Sequence, residues 1–149
     1  MVDPEHIPSF VEWRDQSATD LSVWYFMSRG LQLNLDTLAV AATLFAPSFV
    51  ERGRCVLLTA NSDEADFETW WQLSKGDSQA VEAQLNHVHL PDLLGVAASD
   101  VRLLAEVADA IASSWRLALR AAFPSRRFQV DVVSVEDDPS GPIVSFWQS

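Results

Sequence analysis

The sequence predicts an α+β fold, and three observations support this class. Two pairs of β-rich runs, near 49–59 and 127–147, each flank a turn signal, which is the pattern of a β-hairpin. Apolar residues recur at helical spacing over 100–122, which predicts one long amphipathic helix. Several shorter segments carry helix start and stop signals. We therefore expect a single domain over 1–149, with about four antiparallel strands in two hairpins and the helices packed on one face.

The first part of the chain predicts two helices. Ser9 and Glu12 have the spacing of a capping box, and apolar residues then recur at helical spacing to about Ser28. A second helix, capped by Asp36, is predicted through Leu44 or Phe45. Its run Leu38–Ala42 is apolar nearly all round, so we expect this helix to pack on more than one side.

The first hairpin contains Cys55, the single cysteine of the chain. The run Cys55–Leu58 is apolar without alternation, which predicts a strand buried on both faces. We therefore interpret Cys55 as a small buried hydrophobic residue and not as a reactive thiol. One cysteine excludes an intrachain disulfide, which suits a reducing compartment.

The middle of the chain predicts two short helices before the long one. Ser62 or Asp63 is expected to cap a helix over 64–73, and Asp77 or Ser78 one over 79–86. In the final hairpin, the polar run 136–142 is expected to form the turn.

The charge of the chain is strongly acidic and unevenly distributed. Twenty-one Asp and Glu against ten Lys and Arg give a net charge of −11, and residues 61–100 alone carry eight acids and one base. Such a surface repels nucleic acid and anionic membranes and attracts basic partners. No apolar run is long enough to cross a membrane, and the acidic N-terminus does not resemble a signal peptide. We therefore expect a cytoplasmic protein.

One candidate partner-binding surface lies within 61–100, where acidic side chains adjoin two tryptophans. A Trp at the boundary of a core joins a large apolar face to a polar N–H, which favours interfaces. The alternative is structural, because acids in a first helical turn complement the helix dipole and large rings are often partly buried. The candidate residues are Glu64, Asp66, Glu68, Trp70 and Trp71.

One candidate metal site lies near the end of the same region. His87 and His89 fall on the same side of an extended segment, and two imidazoles with a carboxylate suit a divalent metal. The carboxylate in this interpretation is Asp92 or Glu82. In the alternative, His87 binds the last carbonyls of the preceding helix and His89 packs against its apolar neighbours.

These observations leave three hypotheses for the function. The first is a binding or inhibitor-type protein, for example an immunity-like one, that engages a basic protein partner. The second is a small metal-dependent enzyme that uses His87 and His89. The third is a homo-oligomer, such as a homodimer, in which Phe146 and Trp147 on the last strand form a pairing edge. No nucleotide-binding, serine hydrolase or Cys-x-x-Cys motif occurs, so no cofactor is predicted beyond the divalent metal of the second hypothesis.

Overall fold

The computed structural model describes residues 2–16, 22–30, 34–94, 101–134 and 141–149. These residues form seven α-helices and five strands, which confirms the α+β class. The helices are α1 (Pro8–Asp15), α2 (Val23–Arg29), α3 (Leu35–Phe45), α4 (Glu64–Leu73), α5 (Ser78–Leu85), α6 (Leu90–Leu94) and α7 (Val101–Ala122). The strands are β1 (Phe49–Arg52), β2 (Cys55–Leu58), β3 (Val88–His89), β4 (Phe128–Val133) and β5 (Ile143–Gln148).

The strands form two antiparallel sheets. The predicted hairpins are both present, as β1 paired with β2 and β4 paired with β5. The short strand β3 pairs with the other side of β5, so the larger sheet has the order β3-β5-β4. Gly53 turns the first hairpin with a φ of +58°, a left-handed conformation that glycine adopts without strain. The turn predicted over 136–142 lies mostly outside the described residues.

The main hydrophobic core lies between α7 and the larger sheet. Trp115 of α7 contacts Phe146 of β5 edge to face, with 5.8 Å between ring centroids. Val144 and Phe146 belong to this core, whereas the hydroxyl of Ser145 donates to the carbonyl of Ala83 in α5. Since successive side chains of a strand point to opposite faces, α5 and α7 lie against opposite faces of β5.

A second, smaller core lies between the first hairpin and helices α4 and α5. Its buried residues are Cys55, Leu57, Val81 and Leu85. All four residues of β2 are buried, as the unbroken apolar run predicts.

Two buried polar side chains, Glu82 in α5 and Asn86 at the C-cap of this helix, join the two sheets. One Glu82 carboxylate oxygen accepts from the backbone N–H of Val56 in β2, and the other accepts from the backbone N–H of Gln148 in β5, both at 2.6 Å. Asn86 accepts from the N–H of Leu58 and donates to the carbonyls of Val56 and Phe146. Glu82 and Asn86 therefore bind the backbone edges of β2 and β5 where a strand would otherwise pair.

The N-terminal region differs from the prediction. Two helices, α1 and α2, replace the single helix expected over 10–28; residues 17–21 between them lie outside the description. The capping box of Ser9 and Glu12 is wrong, because α1 begins at Pro8 with Ile7 at the cap position and no side-chain cap. The side chain of Asn34, and not Asp36, caps α3.

The first residues of the chain contact the long helix. The backbone N–H of Asp3 donates to Glu106 of α7 at 2.7 Å, and the His6 ring bonds the same carboxylate. These bonds hold the pKa of Glu106 below its usual value, and the bond from the Asp3 N–H has the largest effect. Among the described residues, no helix has both the length and the apolar content needed to span a membrane.

Candidate functional site

A large groove, which we call the α3 groove, lies between α3 on one side and β3 with α6 on the other. Its volume is about 1070 Å³, which is at the upper end of the range for ligand sites in proteins. The core residues Leu58 and Trp115 contribute to its base. Apolar side chains dominate the lining, and the polar groups include His87, His89 and Asp92.

The α3 groove exists because α3 is attached to the body of the protein mainly at its C-terminal end. The indole N–H of Trp115 donates to the backbone carbonyl of Leu44 at 2.8 Å. The hydroxyl of Ser114 donates to the backbone carbonyl of Phe45. No residue of α3 is fully buried. Leu35 and Val40 are 78% and 70% exposed.

The expectation that α3 packs on more than one side is therefore wrong for the described residues. Eleven large hydrophobic side chains are exposed in the described part of the chain, and six of them belong to α3 and α6. These six are Leu35, Leu38, Val40, Phe45, Leu93 and Leu94. Exposed apolar residues concentrated in this way mark binding surfaces, whereas scattered ones are ordinary.

The two histidines lie together at the polar part of the α3 groove. Their ring centroids are 5.0 Å apart with the planes at 82°, so His87 and His89 share a side of the chain as the extended segment predicts. The Nδ1 atom of His87 bonds the carbonyl oxygen of Gln84 in α5, which confirms that His87 caps the end of this helix. The Nδ1 atom of His89 is buried and has no hydrogen-bond partner among the described residues.

The structure separates the proposed carboxylate ligands from one another. Asp92 lines the α3 groove with the histidines and is exposed. Glu82 is fully buried, and both of its carboxylate oxygens are bound to backbone N–H groups of the two sheets. Within the described ranges, no group of three or more His, Cys, Asp and Glu side chains is placed to hold a metal ion.

The predicted partner-binding residues lie on α4, where the acids and the tryptophans face different surroundings. Glu64, Asp66 and Glu68 are exposed. Trp70 and Trp71 are partly buried and pack against the second core. Asp63 caps α4 by accepting from two backbone N–H groups, as predicted.

The predicted pairing edge on the last strand is wrong. Phe146 is fully buried in the main core, and β5 is the middle strand of its sheet. At Phe146 and Gln148, β4 pairs with one edge of β5, and the side chains of Asn86 and Glu82 bind backbone groups on the other edge. These positions therefore offer no row of free backbone groups to a second copy.

The sequence reasoning did not identify the exposed residues of α3 and α6 as a site. The available signal was the apolar run Leu38–Ala42, because such a run in an acidic protein belongs either to a core or to a binding surface. Choosing between these requires knowledge of which tertiary contacts α3 makes.

Comparison with known proteins gives no match to a family model, to a curated protein or to a solved structure.

Proposed function

We propose that the protein binds a basic partner protein and that the α3 groove receives an amphipathic, positively charged segment of that partner. The observation that carries this proposal is that four exposed large hydrophobic residues line the groove from the two helices that border it, namely Val40, Phe45, Leu93 and Leu94. An amphipathic helix buries its apolar face in grooves of this kind, and burial of apolar surface is the main source of affinity.

The charge around the α3 groove supports a basic partner. Asp36 and Asp92 line it, and neither makes an ion pair with another residue in the described ranges. Asn61 also lines it, and the acidic helix α4 begins three residues further on. Negative side chains beside an apolar groove attract a basic segment and raise its association rate.

The acids of α4 extend this negative surface. Glu64, Asp66 and Glu68 are exposed, and none of the ion pairs found in the described residues involves them. We assign them to attraction of the partner. Because Trp70 and Trp71 pack against the second core, we assign these rings to holding α4 in place.

Binding of designed peptides tests the proposal. We expect a fluorescent helical peptide with Leu on one face and Lys on the other to bind, with affinity that falls as salt is added. A peptide with Glu in place of Lys, and one with the Leu and Lys order scrambled, should bind at least about tenfold more weakly, because each lacks one of the two features. Fluorescence anisotropy gives the dissociation constants.

Two matched substitutions locate the site. Val40→Lys places a charge in the α3 groove, and Leu117→Lys places one on the outer face of α7; the two residues are 70% and 67% exposed. Losing the burial of one Val side chain costs about 1.5 kcal/mol, which corresponds to roughly tenfold in affinity. We expect Val40→Lys to weaken binding by at least about this factor and Leu117→Lys by less than about twofold. Equal effects of both variants, or equal binding of all three peptides, would contradict the proposal.

A second copy of the chain is the alternative occupant of the α3 groove, since the same exposed residues suit a homodimer. Sedimentation velocity at micromolar concentration distinguishes the two. A dimer that Val40→Lys converts to a monomer would replace the partner proposal with self-association.

A further inference from the structure

We propose that His87 and His89 form a binding site for one borderline divalent transition-metal ion, with Zn²⁺ as the probe, at the polar part of the α3 groove. The proposal needs only these two protein ligands, and water fills the remaining positions. It is independent of the partner proposal, because it holds whether or not the groove receives a protein segment.

The hydrogen bond that His87 makes through Nδ1 leaves its Nε2 atom available as one metal ligand. A carbonyl oxygen only accepts hydrogen bonds, so the bond between Nδ1 and the carbonyl of Gln84 requires the proton to be on Nδ1. In the neutral ring the lone pair is then on Nε2. Metal-binding histidines usually donate their second ring N–H to a carbonyl or carboxylate in this way, which fixes the tautomer and the ring orientation.

His89 offers the second ligand. Its Nδ1 atom is buried and has no hydrogen-bond partner in the part of the chain that the structure describes, which is uncommon for a polar atom removed from water. The ring contacts that of His87, with 5.0 Å between centroids. Zinc–nitrogen bonds are about 2.0–2.1 Å long, so one ion requires the two ligand nitrogens to be within about 4.2 Å of each other. The 5.0 Å between the ring centroids is compatible with two ligand nitrogens at that separation.

The surroundings favour a cation with affinity for nitrogen. The net charge of −11 and the carboxylate of Asp92 in the same groove attract positive ions. Imidazole selects zinc, copper and nickel, whereas hard ions such as Mg²⁺ prefer oxygen ligands. Since the described residues hold no group of three such ligands, we expect a site weaker than a structural zinc site.

Calorimetric titration of the untagged protein with Zn²⁺ tests this site. We expect one equivalent to bind the native chain, and His87→Gln or His89→Gln to weaken binding at least about tenfold. His6→Gln is the matched control, because His6 is the third histidine and lies beside Asp3 and Glu106. It should leave the affinity unchanged, and Mg²⁺ should not compete.

A measurement on the native chain keeps the test decisive if a variant does not fold. Zinc should shift the ring nitrogen resonances of His87 and His89 in NMR spectra and leave those of His6 in place. Absence of binding at millimolar Zn²⁺, equal loss in His6→Gln, or displacement by Mg²⁺ would overturn the proposal.

Discussion

At the residue scale, burial determines the chemistry of Cys55. Its side chain is fully buried in β2, and its thiol lies 3.8 Å from the carbonyl oxygen of Ser78. Burial raises the pKa of the Cys55 thiol to about 11, and the nearby Glu82 carboxylate adds to this effect. Because the thiolate is the reactive form, the folded protein holds Cys55 in an inert state at neutral pH.

We therefore expect Cys55 to resist modification by a thiol reagent at pH 8 in the native protein and to react at once in urea. The raised pKa also implies that stability falls as the pH rises above about 9, where the unfolded chain releases the thiol proton and the folded chain retains it. Absorbance after addition of the reagent, with and without urea, measures the first effect. Rapid reaction of the native protein would show that β2 opens readily.

Local residue roles could be predicted from the sequence, and long-range ones could not. Asp63 and Asp77 cap their helices through backbone groups two and three residues away, so sequence neighbours define these bonds. The sequence makes Glu82 one of two candidate carboxylate ligands of a metal, whereas its partners Val56 and Gln148 are 26 and 66 residues away. No local sequence pattern predicts contacts between residues so far apart in the chain.

At the element scale, α5 acts as the connection between the two sheets. The sequence predicted both hairpins and the burial of β2, but it did not predict that the strands would divide into separate sheets. The reason is physical: buried backbone groups must be paired, and side chains of a helix satisfy them as well as a neighbouring strand does. Glu82 and Asn86 lie one helical turn apart, so both reach the same gap.

The substitution Glu82→Gln tests this connection. A Gln amide has one accepting oxygen and one donating nitrogen, so in either orientation its NH₂ group faces the N–H of Val56 or of Gln148. Leaving a buried donor unpaired costs about 1–3 kcal/mol, and we expect the free energy of unfolding in urea to fall by that amount.

Glu68→Gln is the control for this prediction, because Glu68 is exposed on α4. It should change the free energy of unfolding by less than about 0.5 kcal/mol. If Glu82→Gln is as stable as the native protein, the two sheets do not depend on this carboxylate.

The exposed helix α3 shows where element predictions fail. Its apolar composition predicted burial, and its length and C-terminal end were predicted to within a residue or two. Whether an apolar helix faces the core or a groove depends on the space that the other elements leave. In this fold, the main core is already filled by α7 and the larger sheet, so much of α3 remains exposed.

At the scale of the whole molecule, the ion pairs within the described ranges engage only a few of the acids that make up the negative excess. The ion pairs of the described residues use Asp3, Glu5, Asp15, Glu51 and Glu106, and none uses a carboxylate between 61 and 94. Six of the seven acids in that range are exposed, and Lys75 is the one basic Lys or Arg residue there. Like charges at this density repel one another and oppose the compact state.

We therefore expect added salt to stabilise the protein. Ions screen repulsion between exposed charges, and the Debye length falls from about 30 Å at 0.01 M to about 8 Å at 0.15 M ionic strength. Relief of about 1 kcal/mol of repulsion raises the Tm of a chain of this size by roughly 2–4 °C. Scanning calorimetry between these two ionic strengths measures the rise.

One triple variant and one double variant test whether this rise comes from the acidic region. The triple variant removes exposed negative charge from α4, so the rise in Tm should become smaller; its substitutions are Glu64→Gln, Asp66→Asn and Glu68→Gln. Glu5→Gln with Glu51→Gln removes acids that pair with Arg14 and Arg126, so the rise should persist or grow. A Tm that falls with salt would mean that the ion pairs outweigh the repulsion, because screening weakens attraction and repulsion alike. Repulsion among the acids would then not destabilise the free protein, and a basic partner would gain no affinity by relieving it.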